Sequence, residues 1–75
     1  MNEEQAALIL SQAYTEAEAN RNQATSVHLF GIRYADQLAG LSLSEILRQA
    51  NMPSTYATEI RKGMKLAQFV NIIEQ

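Results

Sequence analysis

The sequence predicts an all-α fold, a small helical bundle of four to five helices, with a C-terminal tail that reads either as a further helix or as a short strand. Three observations predict it. Apolar residues recur at steps of three and four through most of the chain. Gly and Pro are scarce, 3 and 1 in 75 residues, and all but Gly31 stand where a helical stripe stops or turns. Cap residues also precede the stripes, above all Ser42 with Glu45 three places on. Apolar residues make up 47% of the chain and charged residues 19%, a globular balance. The length suits one domain, residues 1–75. A domain this small buries only ~60% of its unfolded surface. There is no Cys to staple it with disulfides, so self-association is the remaining inexpensive reinforcement.

The first helix covers roughly Asn2 to Glu18, a stretch rich in helix formers and without Gly or Pro. Ala6, Ile9, Leu10, Ala13, Tyr14 and Ala17 form its stripe, which must be buried on the body or on a second copy. Asn20 to Gln23 is a polar break. Thr25 or Ser26 can cap a second helix that runs to Leu38 or Ala39. Its apolar residues lie nearly all round (Val27, Leu29, Phe30, Ile32, Tyr34, Ala35 and Leu38), so it belongs at the centre; a strand through Val27–Phe30 is the alternative. Gly31 costs such a helix ~1 kcal/mol, and the close approach of another backbone would explain it. Gly40 ends the helix.

Ser42 and Glu45 form a capping box for a third helix, Leu43 to Ala50, which buries Leu43, Ile46, Leu47 and Ala50. Asn51 tolerates left-handed backbone and Pro53 disfavours helix at Met52, so the chain turns there. Ser54 can cap a fourth helix, Thr55 to Lys62, with Tyr56, Ala57 and Ile60 inside and Gly63 at its end. In the tail, Leu66, Phe69, Val70 and Ile73 fit a helical stripe, while the run Phe69–Ile73 also fits a strand.

Several function classes lose support at once. No apolar run approaches the ~20 residues of a membrane span, and the apolar stretch at Ala6–Leu10 follows Glu3 and Glu4, unlike a secretory signal. The expected location is therefore the cytoplasm. With one His and no Cys, no cofactor or metal site is expected. No Gly-rich phosphate loop is present, and His28 has no partner at a spacing that names itself. No catalytic residues or small-molecule substrate are expected. The net charge of −2 is unevenly placed: residues 1–20 hold Glu3, Glu4, Glu16 and Glu18 with no Lys or Arg, so an acidic helix precedes a mildly basic body at 25–75.

Two short helices joined by a tight turn define a helix-turn-helix. The stretch Leu43 to Gly63 resembles the helix-turn-helix of small bacterial and phage repressors. The matching features are Glu45-Ile46, apolar Met52 after the turn, small polar residues opening the second helix, Ile60, and the basic-Gly pair Lys62-Gly63. The wider segment Val27 to Val70 looks like a family of small bacterial helix-turn-helix-like proteins, largely without assigned function. The sequence departs from the repressor pattern at Leu47, where Ala is usual, and at Asn51, where Gly is usual. Leu47 would spread the two helices or alter their crossing, whereas Asn51 can still take positive φ.

The resemblance implies sequence-specific binding of double-stranded DNA by a homodimeric transcription regulator, with the second motif helix in the major groove. Ser54, Thr55, Thr58 and Glu59 would face outward at its start, and Arg61, Lys62 and Lys65 would neutralise phosphates at its far end. A protein–protein adaptor is the rival reading, supported by the net negative charge, the acidic first helix and Glu59. A toxin-neutralising or host-takeover factor of a mobile element is a third.

Overall fold

The computed structural model describes residues 1–70 and 72. It contains five helices: α1 (Glu3–Glu18), α2 (Gln23–Arg33), α3 (Ala35–Leu38), α4 (Leu43–Gln49) and α5 (Tyr56–Leu66), with no strand among the described residues. None of these helices is long and apolar enough to cross a membrane.

A full capping box starts α1. The Asn2 side chain accepts the Gln5 backbone N–H at 2.9 Å, and the Gln5 side chain accepts the Asn2 N–H at 3.0 Å. The stripe of α1 packs on α2 and α4, so the first helix is buried on the body. Arg21, at φ 56°, closes the helix end while the Asn22 N–H donates to the Ala17 carbonyl at 3.0 Å.

α2 starts at Gln23, earlier than the Thr25 or Ser26 cap expected: the Ser26 N–H already donates to the Asn22 carbonyl at 2.9 Å, and the Ser26 hydroxyl donates to the Gln23 carbonyl at 2.6 Å instead of capping. Val27–Phe30 lies within it, which removes the strand alternative. The expected single helix to Leu38 is broken at Tyr34, whose φ of −112° and ψ of 21° end α2 and start α3. The chain then turns through Ala39 (φ −59°, ψ 124°) and Gly40 (φ 88°), with the Leu41 N–H on the Leu38 carbonyl at 3.0 Å. That is a type II turn, which needs Gly where φ is positive.

The Ser42 hydroxyl caps α4 through the Glu45 N–H at 3.2 Å. The other half of the expected box is different. Glu45 turns to Arg48 and Gln49, and the Ser42 N–H donates to Glu3 Oε2 of α1 at 3.0 Å. A carboxylate from another helix thus completes the cap. At its far end Asn51 has φ 57°, its N–H reaches the Arg48 carbonyl, and the Met52 N–H reaches the Leu47 carbonyl at 2.9 Å. This is a Schellman closure, and Asn51 fills the position that usually takes Gly.

Two expectations about α5 are corrected. Ser54 makes no cap bond; the helix is led in by a tight turn in which the Tyr56 N–H reaches the Pro53 carbonyl and the Ala57 N–H reaches the Ser54 carbonyl. Gly63 does not end the helix. It is buried inside α5, which continues to Leu66. An ideal Cβ on Gly63 would lie 2.4 Å from the His28 carbonyl oxygen, and one on Gly31 would lie 2.4 Å from the Ile60 carbonyl oxygen. The two glycines face each other where α2 and α5 cross, so the close approach expected at Gly31 is present and is reciprocal.

The core comprises Ala6, Ala7 and Leu10 of α1, Val27 and Phe30 of α2, Leu38 of α3, Leu43, Ile46 and Leu47 of α4, and Ile60 of α5. α5 packs most extensively on α2 and more lightly on α4. Leu47 is accommodated as a buried core residue, and six residues (50–55) link α4 to α5. Tail residues 67–69 form turns, and neither Phe69 nor Val70 is in a strand; the remainder of the expected Phe69–Ile73 element lies outside the described residues, apart from residue 72.

Candidate nucleic-acid interface

The corner α4–turn–α5 carries every residue expected at the site. Ser54, Thr55, Thr58, Arg61, Lys62 and Lys65 are all exposed. Thr55 already has helical dihedrals (φ −60°, ψ −24°), so it shares the phase of α5. Thr55, Thr58, Lys62 and Lys65 are then separated by three, four and three residues and line one side of the helix. That ridge is about 15 Å long. It is opposite the side on which Tyr56, Ala57, Ile60 and Gly63 pack inward. Arg61 lies to one flank, bordering a groove formed with residues 38–44 around the α3–α4 turn.

Glu59 departs from the expected outward array. It is half-buried and hydrogen-bonded to His28 Nε2 of α2, with Lys62 Nζ 3.9 Å from its other oxygen. The reason is the glycine crossing. With no side chains at Gly31 and Gly63, α2 and α5 lie close enough for the next residues outward, His28 and Glu59, to meet. The pair was not legible in the sequence, since 31 residues separate its members. A spacing signal did exist: His28 precedes Gly31 by three and Glu59 precedes Gly63 by four.

A second carboxylate beside the corner is also engaged. Arg48 grips Glu45 through Nε at 2.9 and 3.1 Å and through its terminal nitrogen, and Gln49 Nε2 adds a bond at 3.1 Å. The Arg48 hydrogen bonds, followed by that of Gln49, lower the Glu45 carboxyl to about 2. The Arg48 guanidinium is raised in return. Glu3 is lowered by its bond to the Ser42 backbone N–H.

Tyr56, at the start of α5, is held by Tyr14 of α1. The two hydroxyls are 3.1 Å apart and the rings meet edge-on at 5.5 Å. This bond is also the main cause of the raised Tyr14 phenol. Tyr56 is therefore a half-buried anchor, and it ties the first turn of α5 to α1. No group of three His, Asp or Glu side chains able to hold a metal ion occurs among the described residues.

Comparison with known proteins agrees with this architecture. Neither a curated protein nor a solved structure matches the chain. A family described as an HTH-like domain matches residues 2–73, which takes in α1 through α5 together. With nearly its whole length matched and a capped two-helix corner in place, this chain belongs to the HTH-like domain family.

Proposed function

We propose that this protein binds double-stranded DNA in the major groove through the start and outer side of α5, as a homodimeric, cytoplasmic transcription regulator. One observation carries the reading. The outer ridge of α5 presents hydroxyls and cations, Thr55, Thr58, Lys62 and Lys65, while the helix's single acid is turned aside onto His28. Hydroxyls at the leading end can hydrogen-bond base edges or phosphates. Ser54 extends that end, and Arg61 adds a third cation on the flank. Glu59 contributes by its absence from the ridge, where a free carboxylate would repel phosphate.

The charge is modest, which sets the scale of the test. Three cations per corner give a slope of about −2.7 for log affinity against log salt, or about a fortyfold loss from about 50 to about 200 mM. Two corners on one duplex double the slope. Fluorescence anisotropy on a mixed-sequence duplex and on selected duplexes measures it. Lys62→Ala and Lys65→Ala are each expected to weaken binding and reduce the slope by about 1. No binding at low salt, or binding unaffected by Arg61→Ala, Lys62→Ala and Lys65→Ala together, overturns the proposal.

The adaptor reading keeps one specific observation in its favour. Leu8, Leu29 and Phe69 are large, apolar and exposed, and none lies on the leading half of the α5 ridge. If the triple variant retains partner binding while no duplex is bound, that reading replaces the first.

A further inference from the structure

His28 is the only histidine in the chain, and it stands on α2, off the ridge of α5. Its ring nevertheless ends at the acid of α5. An ionised carboxylate accepts hydrogen bonds and donates none, so the Nε2–H of His28 is the donor and Glu59 Oε2 the acceptor. The bond lies at the rim of the glycine crossing. There the His28 side chain is 37% exposed and that of Glu59 29%, so water competes for it only in part.

The place of Glu59 on α5 gives that bond a consequence. Thr55 precedes Glu59 by four residues and Lys62 follows it by three, so both are its neighbours on the helix surface. Its other neighbours at those steps, Tyr56 and Gly63, pack inward. Glu59 therefore stands on the border between ridge and core, and one hydrogen bond decides to which side it leans. Held by His28, it leaves Lys62 Nζ 3.9 Å from Oε1, at the outer limit of an ion pair, with the lysine side chain 63% exposed. Without the His28 donor, the cation already within its reach is Lys62. A pair closed there takes from the duplex one of the three cations of the corner.

We infer that His28 is a positioning residue for DNA binding: by holding Glu59 against α2, it keeps Lys62 free for a phosphate. The inference rests on the DNA reading and adds to the corner a residue from a different helix.

Fluorescence anisotropy on one duplex across a salt series, paired with chemical labelling of the free protein, tests it. His28→Phe keeps a ring and removes the donor. It is expected to weaken binding at least about fivefold at about 100 mM salt and to reduce the slope by about 1, as the loss of one phosphate contact does. Glu59→Gln added to His28→Phe should restore both, since an amide has no charge to pair with Lys62. Glu59→Asp is the second variant, in case the first unfolds, and it alters no charge. The acid is one methylene shorter and no longer reaches His28, so the same loss is expected. Acetic anhydride labelling without DNA, read by mass spectrometry, gives the rate at Lys62 relative to Lys65. That ratio should fall at least about twofold in both single variants, because a carboxylate closed on the amine favours the unreactive ammonium form. Folded His28→Phe and Glu59→Asp chains that bind like the wild type, a His28→Phe loss that Glu59→Gln leaves in place, or unchanged Lys62 labelling in both single variants overturns the inference. The DNA reading fails separately: a wild type that binds no duplex retires it, and the labelling alone then decides whether His28 keeps Lys62 free.

Discussion

Adding one methyl group at the glycine crossing should loosen the whole molecule. In Gly63→Ala the new Cβ lies 2.4 Å from the His28 carbonyl oxygen and 3.1 Å from both the Gly31 Cα and the Ile32 nitrogen, whereas ordinary contact begins at 3.4 Å. All three atoms are backbone of α2, so none can rotate away. The helices must separate by about 1 Å, which pulls Ile60 from its packing in the core. Overpacking of this kind costs ~1–3 kcal/mol, and here the upper end applies because the obstacle is main chain. Alanine's better helix propensity returns ~1 kcal/mol. A net loss of about 2 kcal/mol is expected, against a total of ~4–11 kcal/mol for a chain this long. The melting temperature should fall by about 8–16 °C. Thermal and urea unfolding followed by circular dichroism provide the measurement, with Gly31→Ala expected to behave alike. A Gly63→Ala chain that melts at or above the wild-type temperature refutes the steric argument.

Other perturbations separate the remaining contacts. The Glu45 carboxyl is lowered from 4.5 to about 2, so its contribution is fully present above pH 4.5 and is lost as pH falls towards 2. Glu45→Gln should therefore flatten that part of the acid limb in urea midpoints measured against pH, and added salt should shrink the difference. Tyr14→Phe and Tyr56→Phe should each lower the urea midpoint, and the double variant by less than the two together, because the two changes remove one shared hydrogen bond. In an alkaline absorbance titration Tyr14 should ionise above the ordinary phenol range. Asn51→Ala should lose about 1 kcal/mol in urea unfolding, since alanine resists the φ of 57° that Asn51 adopts, while Asn51→Gly should not.

Local punctuation was legible in the sequence, and long-range meetings were not. Gly40 and Asn51 could be placed in left-handed turns because their neighbours alone demand it, and Ser42 could be read as a cap. Gly63 was misread for a related reason. A glycine after Lys62 looks like a helix end, and only the facing Gly31 from 32 positions earlier shows that it is a contact. Separations of 39 and 31 residues likewise hid Glu3 as the partner of the Ser42 N–H and His28 as the partner of Glu59. The ridge itself was readable, because the inward residues Tyr56, Ala57 and Ile60 determine by helical period where Thr55, Thr58 and Lys62 must point. Leu29 was assigned to the centre because apolar residues surround its helix; in the structure it is on the surface, on the side of α2 that no other element covers.

The crossing also makes α5 a lever. Its contact at Gly63 is three residues from the last residue of the helix and seven from Tyr56, so the leading end is the longer arm, about 10 Å from the fulcrum. A small rocking there sweeps the Thr55 end through an arc more than twice that at Leu66. The Tyr14–Tyr56 bond is a tether on that long arm. With Ile60 buried between pivot and tip, cutting it would loosen only the first turn, which makes a phenol on α1 a setting for the angle at which the far end meets whatever it touches.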